Sequence, residues 1–384
     1  MIASQKGQEQ LYTLLCIISL IQSNLSKMVK MRKKSLLFLG SVAILAIIVP
    51  ILSLSLSTLG VNEPSSKFKS SALTELNDIV IIDDLPVSLT NWTWAKDQGY
   101  CTGSGTMGDP YIISDFFFNT PPYPFNCLTI INSRKYFIIE DCLFKGNSEY
   151  AGVGLHNTTT GLIRSNKLYP LTGGLVWIHN SSLNEISRNN ASAGYYFGIY
   201  INGNCSSNII SNNLVSFNME TGIALGGNCT LNQIIDNTVY NNTEGMEIYG
   251  PSNNNSIHSN IIRDNKNFGI GITSDYNTIY LNCFINNGLH AIDDGANNAW
   301  DYLGKGNYWD NYTGIDNNQN GIGDIPHNIT GIAGSQDNFP LMSCPLFISD
   351  EAIPGYNLLI MYLAGITMIM GVIYMKLKKK IGVK

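Results

Sequence analysis

"NIISNNLVSFN" (residues 208–218), "NQIIDNTVYNN" (232–242), "NSIHSNIIRDN" (255–265) and "NTIYLNCFINN" (277–287) align without gaps. A second short segment follows the first three: "GIALG" from Gly222, "GMEIY" from Gly245 and "GIGIT" from Gly269. Earlier copies are "GVGLHN" from Gly152, "GLVWIHN" from Gly174 and "GIYIN" from Gly198, so the period is 22 to 24 residues. Repetition at such a period marks a solenoid. Apolar residues alternate within each copy: Ile199 with Ile201, Ile223 with Leu225, Met246 with Ile248, Ile270 with Ile272. Period two means strands with one buried face, and runs this short, broken by Asn and Gly, exclude helices. Strands of successive copies then stack in parallel and pool their inward residues into one core. The expected fold is all-β, a parallel β-helix solenoid. About seven or eight coils fit between Cys127 and Asp301, a rod roughly 35–40 Å long.

Two columns of asparagine fix the register. Asn166, Asn189, Asn213, Asn237, Asn260 and Asn282 are spaced by 23, 24, 24, 23 and 22 residues. Asn218, Asn242, Asn265 and Asn287 form the other. Asn tolerates the left-handed backbone of a sharp corner. Amides stacked at ~4.8 Å can also hydrogen-bond along the column. These residues are expected to be structural and not a polar active site.

Composition narrows the function classes. Charged residues make up 13% of the 384, and the net charge is −5, which gives no reason to expect nucleic acid as a partner. Two uncharged apolar stretches, one preceded by Lys and Arg and the other followed by Lys, read as membrane spans with both tails cytoplasmic. The chain then divides into a cytoplasmic tail (1–34, with a start at Met28 or Met31 the more ordinary one) and a signal anchor or cleaved signal peptide (35–59). An N-terminal cap segment (60–126), the repeats (127–303) and a C-terminal cap (304–350) follow. A C-terminal transmembrane helix (353–376) and a basic cytoplasmic tail (377–384) complete it. The expected location is the cell membrane, with the bulk of the chain extracellular. Ten Asn-x-Ser/Thr sequons between the spans are compatible with a glycoprotein. Seven of the eight Cys follow the first span, so disulfides are expected there. No C-x-x-C pair is present, which argues against a thiol-ligated metal.

The repeats resemble the right-handed parallel β-helix domains of NosD-like and "carbohydrate-binding and sugar hydrolysis" proteins. "GNYWDNYTGIDNNQNGIGDIPHNITGIAGSQDNFPLM" (306–342) resembles the C-terminal signature of NosD-like proteins. "GSGTMGDPYII" (103–113) resembles a motif of archaeal surface proteins, and "IPGYNLLIMYLAGITMIMGVIYMKLKKK" (353–380) resembles an archaeal sorting tail. The resemblance implies a right-handed β-helix at the cell surface. It also implies either carbohydrate chemistry or an accessory role beside a copper enzyme.

Four candidate sites follow. The row between the inward residues reads Gly154, Trp177, Tyr200, Ala224, Glu247 and Gly271, so Trp177 and Tyr200 project outward on adjacent coils, with Tyr195 and Tyr196 nearby. Exposed aromatic rings beside polar acceptors suit the apolar faces of sugars, which makes a polysaccharide or surface glycan the expected partner. For an enzyme the outward acids are sparse: Glu247, Asp264, and the adjacent Asp293 and Asp294 read as scattered solvated carboxylates. Catalysis is therefore the less favoured reading, with a polysaccharide lyase or glycoside hydrolase as the alternative. His156 and His179 stack 23 residues apart, but Asn202 holds the next position, so a copper site lacks a third imidazole. Last, Asp316, Asn318, Asn320, the Ile322 carbonyl and Asp324 match positions 1, 3, 5, 7 and 9 of a calcium loop whose position 12 is His327. Any calcium there is structural and weak, on the order of 10⁻⁴–10⁻³ M. Trp300, Tyr302, Tyr308, Trp309 and Tyr312 are expected to close the core at that end.

Overall fold

A computed structural model describes residues 73–346, apart from 121–123, 147–148, 169 and 171. The expected membrane spans, the two tails and the sorting-type motif lie outside the described residues. Among the described residues no helix is long and apolar enough to cross a membrane.

Three faces of parallel strands run the length of the repeats, and each coil contributes to each of them. The front sheet has nine strands: Val80–Asp83, Leu128–Ile131, Ala151–His156, Gly174–His179, Ile199–Asn202, Thr221–Gly226, Glu244–Ile248, Phe268–Ile272 and Leu289–Asp293. Eight of them fall between Cys127 and Asp301, the number of coils that the period allows. A second sheet has eight strands, from Tyr111–Ser114 to Thr278–Tyr280. The third is built in blocks of four and five strands. Asn190 bridges Lys167 of one block to Leu214 of the other.

The register keeps one residue type per row. Val153, Val176, Ile199, Ile223, Met246 and Ile270 are paired in turn across the front sheet. All of them are buried, so the inward row is a continuous apolar column. Each such side chain contributes about 1.5–3 kcal/mol of transfer free energy, which explains why the alternation is kept coil after coil. The glycine repeated at the start of the front strands from Gly152 to Gly269 has a steric cause. A Cβ on Gly245 would lie 2.2 Å from the Gly269 carbonyl oxygen, and one on Gly222 would lie 2.7 Å from that of Gly245.

The asparagine columns are buried hydrogen-bonded ladders. The backbone N–H of each Asn donates to the side-chain oxygen of the equivalent Asn one coil on, at 2.9–3.1 Å from Asn166 to Asn307. One expectation is corrected here. The left-handed corner residue is not the ladder Asn but the residue before it: Ser165, Arg188, Asn212, Asp236, Ser259 and Leu281 have φ between 56° and 57°. The ladder Asn is needed for its amide, which must turn inward to be satisfied. A further ladder runs through Asn184, Asn208, Asn232, Asn255, Asn277 and Asn298.

Both ends differ from a bare cap. Residues 60–126 were assigned to a cap, yet they also supply strands Thr74–Leu76, Val80–Asp83, Tyr111–Ser114 and Phe116–Asn119 to the three sheets. The short helix Trp92–Asp97 covers the core there, capped by the Asn91 side chain. Trp92 is buried, stacks on Tyr111 at 4.5 Å and donates its indole N–H to Ser133 at 2.9 Å. At the other end Trp300 and Trp309 are buried, and Trp309 stacks on Phe284 at 4.4 Å. Tyr302, by contrast, is 50% exposed and packs outside the core on Tyr280.

Candidate functional site

The outward face of the front sheet brings the aromatic residues together. Trp177 and Tyr200 are directly paired in register, half-buried, with ring centroids 5.9 Å apart. Phe197, three residues before Tyr200 on the same coil, stacks on it at 4.7 Å. One coil further on stand Ala224 and Gly226, both small and buried, and the ring of Tyr249 lies over Gly226. Tyr195 and Tyr196 pack edge to face on each other at 5.0 Å.

A polar network holds the rings in place. The Trp177 indole N–H and His179 Nδ1 both donate to Asn202 Oδ1, at 3.1 and 2.9 Å. The Asn202 amide donates to the Tyr200 hydroxyl at 3.2 Å, and the Tyr200 and Tyr249 hydroxyls share a bond of 2.8 Å. Burial, and then the bond to Tyr200, pushes the Tyr249 phenol above its ordinary pKa. Asn202, taken from sequence as the residue that interrupts a His row, is the centre that orients both aromatic residues.

The acids beside this row are not all solvated. The Thr221 hydroxyl lies 2.9 Å from Glu244 Oε2 and 3.4 Å from Glu247 Oε2. Burial, with Glu244 and Glu220 adding to it, holds the Glu247 carboxyl above the ordinary range. Asp293 is a second correction. It is 1% exposed and accepts from Gly295, Asn298, the Trp300 indole and Ser335, so it is an internal anchor. Asp294 accepts the backbone N–H of Ile332, and Asp264 pairs with Arg263. Sequence spacing showed Glu247 pointing outward but gave no means of seeing that Thr221 and Glu244 crowd it.

In the loop expected to take calcium, the carboxylates face its own backbone. Asp316 accepts from Asn320 and Gly321, Asn318 from Asn320, and Asn320 from Ile322. Asp324 accepts from Asn317 at 2.8 and 2.9 Å. Gly321, whose N–H takes one of these bonds, has φ 82°.

Residues 203–314 match the family described as periplasmic copper-binding protein (NosD), and residues 125–239 match the right handed beta helix region. The chain is a right-handed parallel β-helix protein with a NosD-like segment. Among curated proteins none matches it. Among solved structures it is similar in fold to the periplasmic alginate epimerase AlgG, with 16% identity, 59% of this chain and 53% of that one covered, and a TM-score of 0.37. The catalytic domain of a GH87 alpha-1,3-glucanase shares 18% identity over 64% of this chain and 42% of that one, at a TM-score of 0.39. DFA-IIIase from Arthrobacter chlorophenolicus A6 shares 12% identity over 61% and 63%, also at 0.39. The chain thus spans about half the length of the alginate epimerase structures it matches.

The copper named by the NosD family can be tested against the residues present. The rings of His156 and His179 are 5.9 Å apart, and His179 Nδ1 is committed to Asn202. Burial, and then His179, lowers the pKa of His156, so that imidazole is neutral, but no third ligand joins the pair. Among the described residues no group of three His, Cys, Asp or Glu is placed to hold a metal ion. The described residues therefore do not fit a copper centre.

Proposed function

We propose that this protein binds carbohydrate on the outward face of the front sheet, as a surface-binding or adhesion protein held at the cell membrane. One observation carries the reading: Trp177, Tyr200 and Phe197 form a contiguous, half-exposed aromatic row whose edges are lined by the Asn202 amide and the Tyr249 hydroxyl. Apolar ring faces match the C–H faces of a sugar, and the flanking polar groups match its hydroxyls. Membrane attachment is supported by the apolar stretches and their basic flanks near both ends of the sequence. The Cys283–Cys344 disulfide fits an oxidising exterior. The test is retention of the full chain on a panel of immobilised polysaccharides. If none retains it, the reading fails.

A second reading, cleavage of a glycosidic bond, is favoured by one arrangement. Glu244 and Glu247 share the Thr221 hydroxyl, and burial raises the pKa of Glu247 above the ordinary carboxylate range, as the acid of a pair of carboxyls requires.

A further inference from the structure

The three asparagine ladders do not end alike. The ladder through Asn282 and Asn307 ends where Asn307 N–H donates to the buried carboxylate of Asp337 at 2.7 Å. The ladder through Asn277 and Asn298 ends where the Asn298 amide donates to the buried carboxylate of Asp293 at 2.8 Å. The remaining ladder runs Asn218, Asn242, Asn265, Asn287, and no acceptor follows: the Asn287 backbone N–H has no partner among the described residues. In the ladder through Asn307 an internal carboxylate meets this need, and in the ladder through Asn298 a carboxylate takes the terminal side-chain amide, whereas the Asn287 amide donates to the Ile262 carbonyl at 2.9 Å.

That open end lies at a cavity of about 150 Å³ between the last coil and the C-terminal cap, lined by Asn287, His290, Trp309, Asn311, His327 and Thr330 among others. A cavity of roughly this volume admits a six-membered ring. The His290 side chain is 9% exposed, and its Nε2 donates to Asp310 at 2.7 Å. Its Nδ1 is then a lone-pair acceptor, and it is buried without a partner. His327 stacks on Trp309 at 4.5 Å. Burial lowers the pKa of both imidazoles, that of His327 to about 4, so neither carries charge near neutral pH.

We propose that this cavity binds one neutral sugar residue, with its hydroxyl groups completing the third ladder. Asn287 N–H needs an acceptor and His290 Nδ1 needs a donor, and a hydroxyl is the group that supplies both. A carboxylate would satisfy only Asn287, and it would sit beside Asp310 with no cation to offset it. The site stands apart from the aromatic row and does not depend on it. No feature of the sequence pattern marked it, because a ladder looks the same in sequence whether or not its last member is answered.

The probes are D-glucose, D-galactose, D-mannose and N-acetyl-D-glucosamine at millimolar concentration, with D-glucuronate as the charged comparison. Thermal unfolding of the full chain is followed. At least one neutral sugar is expected to raise the melting temperature, and glucuronate to have a weaker effect. Leu289→Trp, at a position 45% exposed, should obstruct the cavity and abolish the response. Thr330→Val should weaken it about tenfold. The response should persist in a Trp177→Ala/Tyr200→Ala double variant, which separates this site from the front face. The proposal is overturned if no neutral sugar raises the melting temperature, if glucuronate is preferred, or if Leu289→Trp and Thr330→Val respond like the wild type.

Discussion

Asn237 shows what a single ladder residue carries. Its amide donates to the carbonyls of Ile210 and Ile235 and to Asn260 Oδ1, at 2.8–3.0 Å, while its oxygen accepts from the Asn213 N–H and amide. Asn237→Leu removes all of these inside a buried column and strands groups on both neighbouring coils. The expected loss is about 3 kcal/mol or more, seen as a fall of roughly 6–12 °C in the melting temperature of the full chain. An unchanged transition would mean that the ladder adds nothing net. At the same scale, Trp177→Ala and Tyr200→Ala should each weaken retention on a bound polysaccharide about tenfold or more, with unfolding little changed. Both residues were legible from the two-residue period alone. Phe197 was not, because it lies outside the alternating strand and reaches the row only by stacking back on Tyr200.

At the scale of elements, the C-terminal cap is tied to the rod by carboxylates that close its ladders. Asp337 accepts from the Asn307 N–H, the Trp309 indole and the Phe339 N–H, yet burial still raises its pKa to about 6. The fold therefore favours the protonated acid relative to the unfolded chain. That advantage is full below the ordinary carboxylate range and is lost as pH rises to about 6. The difference in melting temperature between wild type and Asp337→Asn should shift in that window, the wild type losing ground as pH rises, and be flat above it. A difference that is constant from pH 4 to 7 would contradict the assignment. On the front sheet, the strands Thr221–Gly226 and Glu244–Ile248 juxtapose Thr221, Glu244 and Glu247. If a polysaccharide is cleaved there, Glu247→Gln should lower turnover by about 10²-fold or more without loss of retention. Turnover unaffected by this change would exclude Glu247 as the acid.

For the whole molecule, the decisive feature is closure of the open end of a solenoid. The last coil is sealed by Trp300 and Trp309, by the antiparallel pair His327–Asn328 with Gln336–Asp337, and by the Cys283–Cys344 disulfide across 61 residues. The loop at Asp316, Asn318, Asn320, Ile322 and Asp324 belongs to this closure, so a cation held there would stabilise the rod and not perform chemistry. Millimolar calcium is expected to raise the melting temperature of the full chain by a few degrees, and to leave an Asp316→Ala/Asp324→Ala variant unmoved. If both respond alike, or neither responds, calcium has no place in the cap.

The sequence by itself determined the parallel β-helix, its coil number, the inward rows and the positions of Trp177 and Tyr200. Each of these follows from a local period repeated many times, so every coil restates the same constraint. It also marked the ladder positions, but assigned their residues to the corner conformation that the preceding residue adopts. Only the tertiary structure decided where the ladders end, because Asp293 meets one at the end of the last front strand and Asp337 reaches another from the cap, outside the repeat. It also decided that Asp293 is internal, that Asn202 orients the aromatic row, and that Glu247 is crowded and half-buried. These outcomes depend on contacts between non-equivalent positions in different coils, and no period in the chain encodes such contacts.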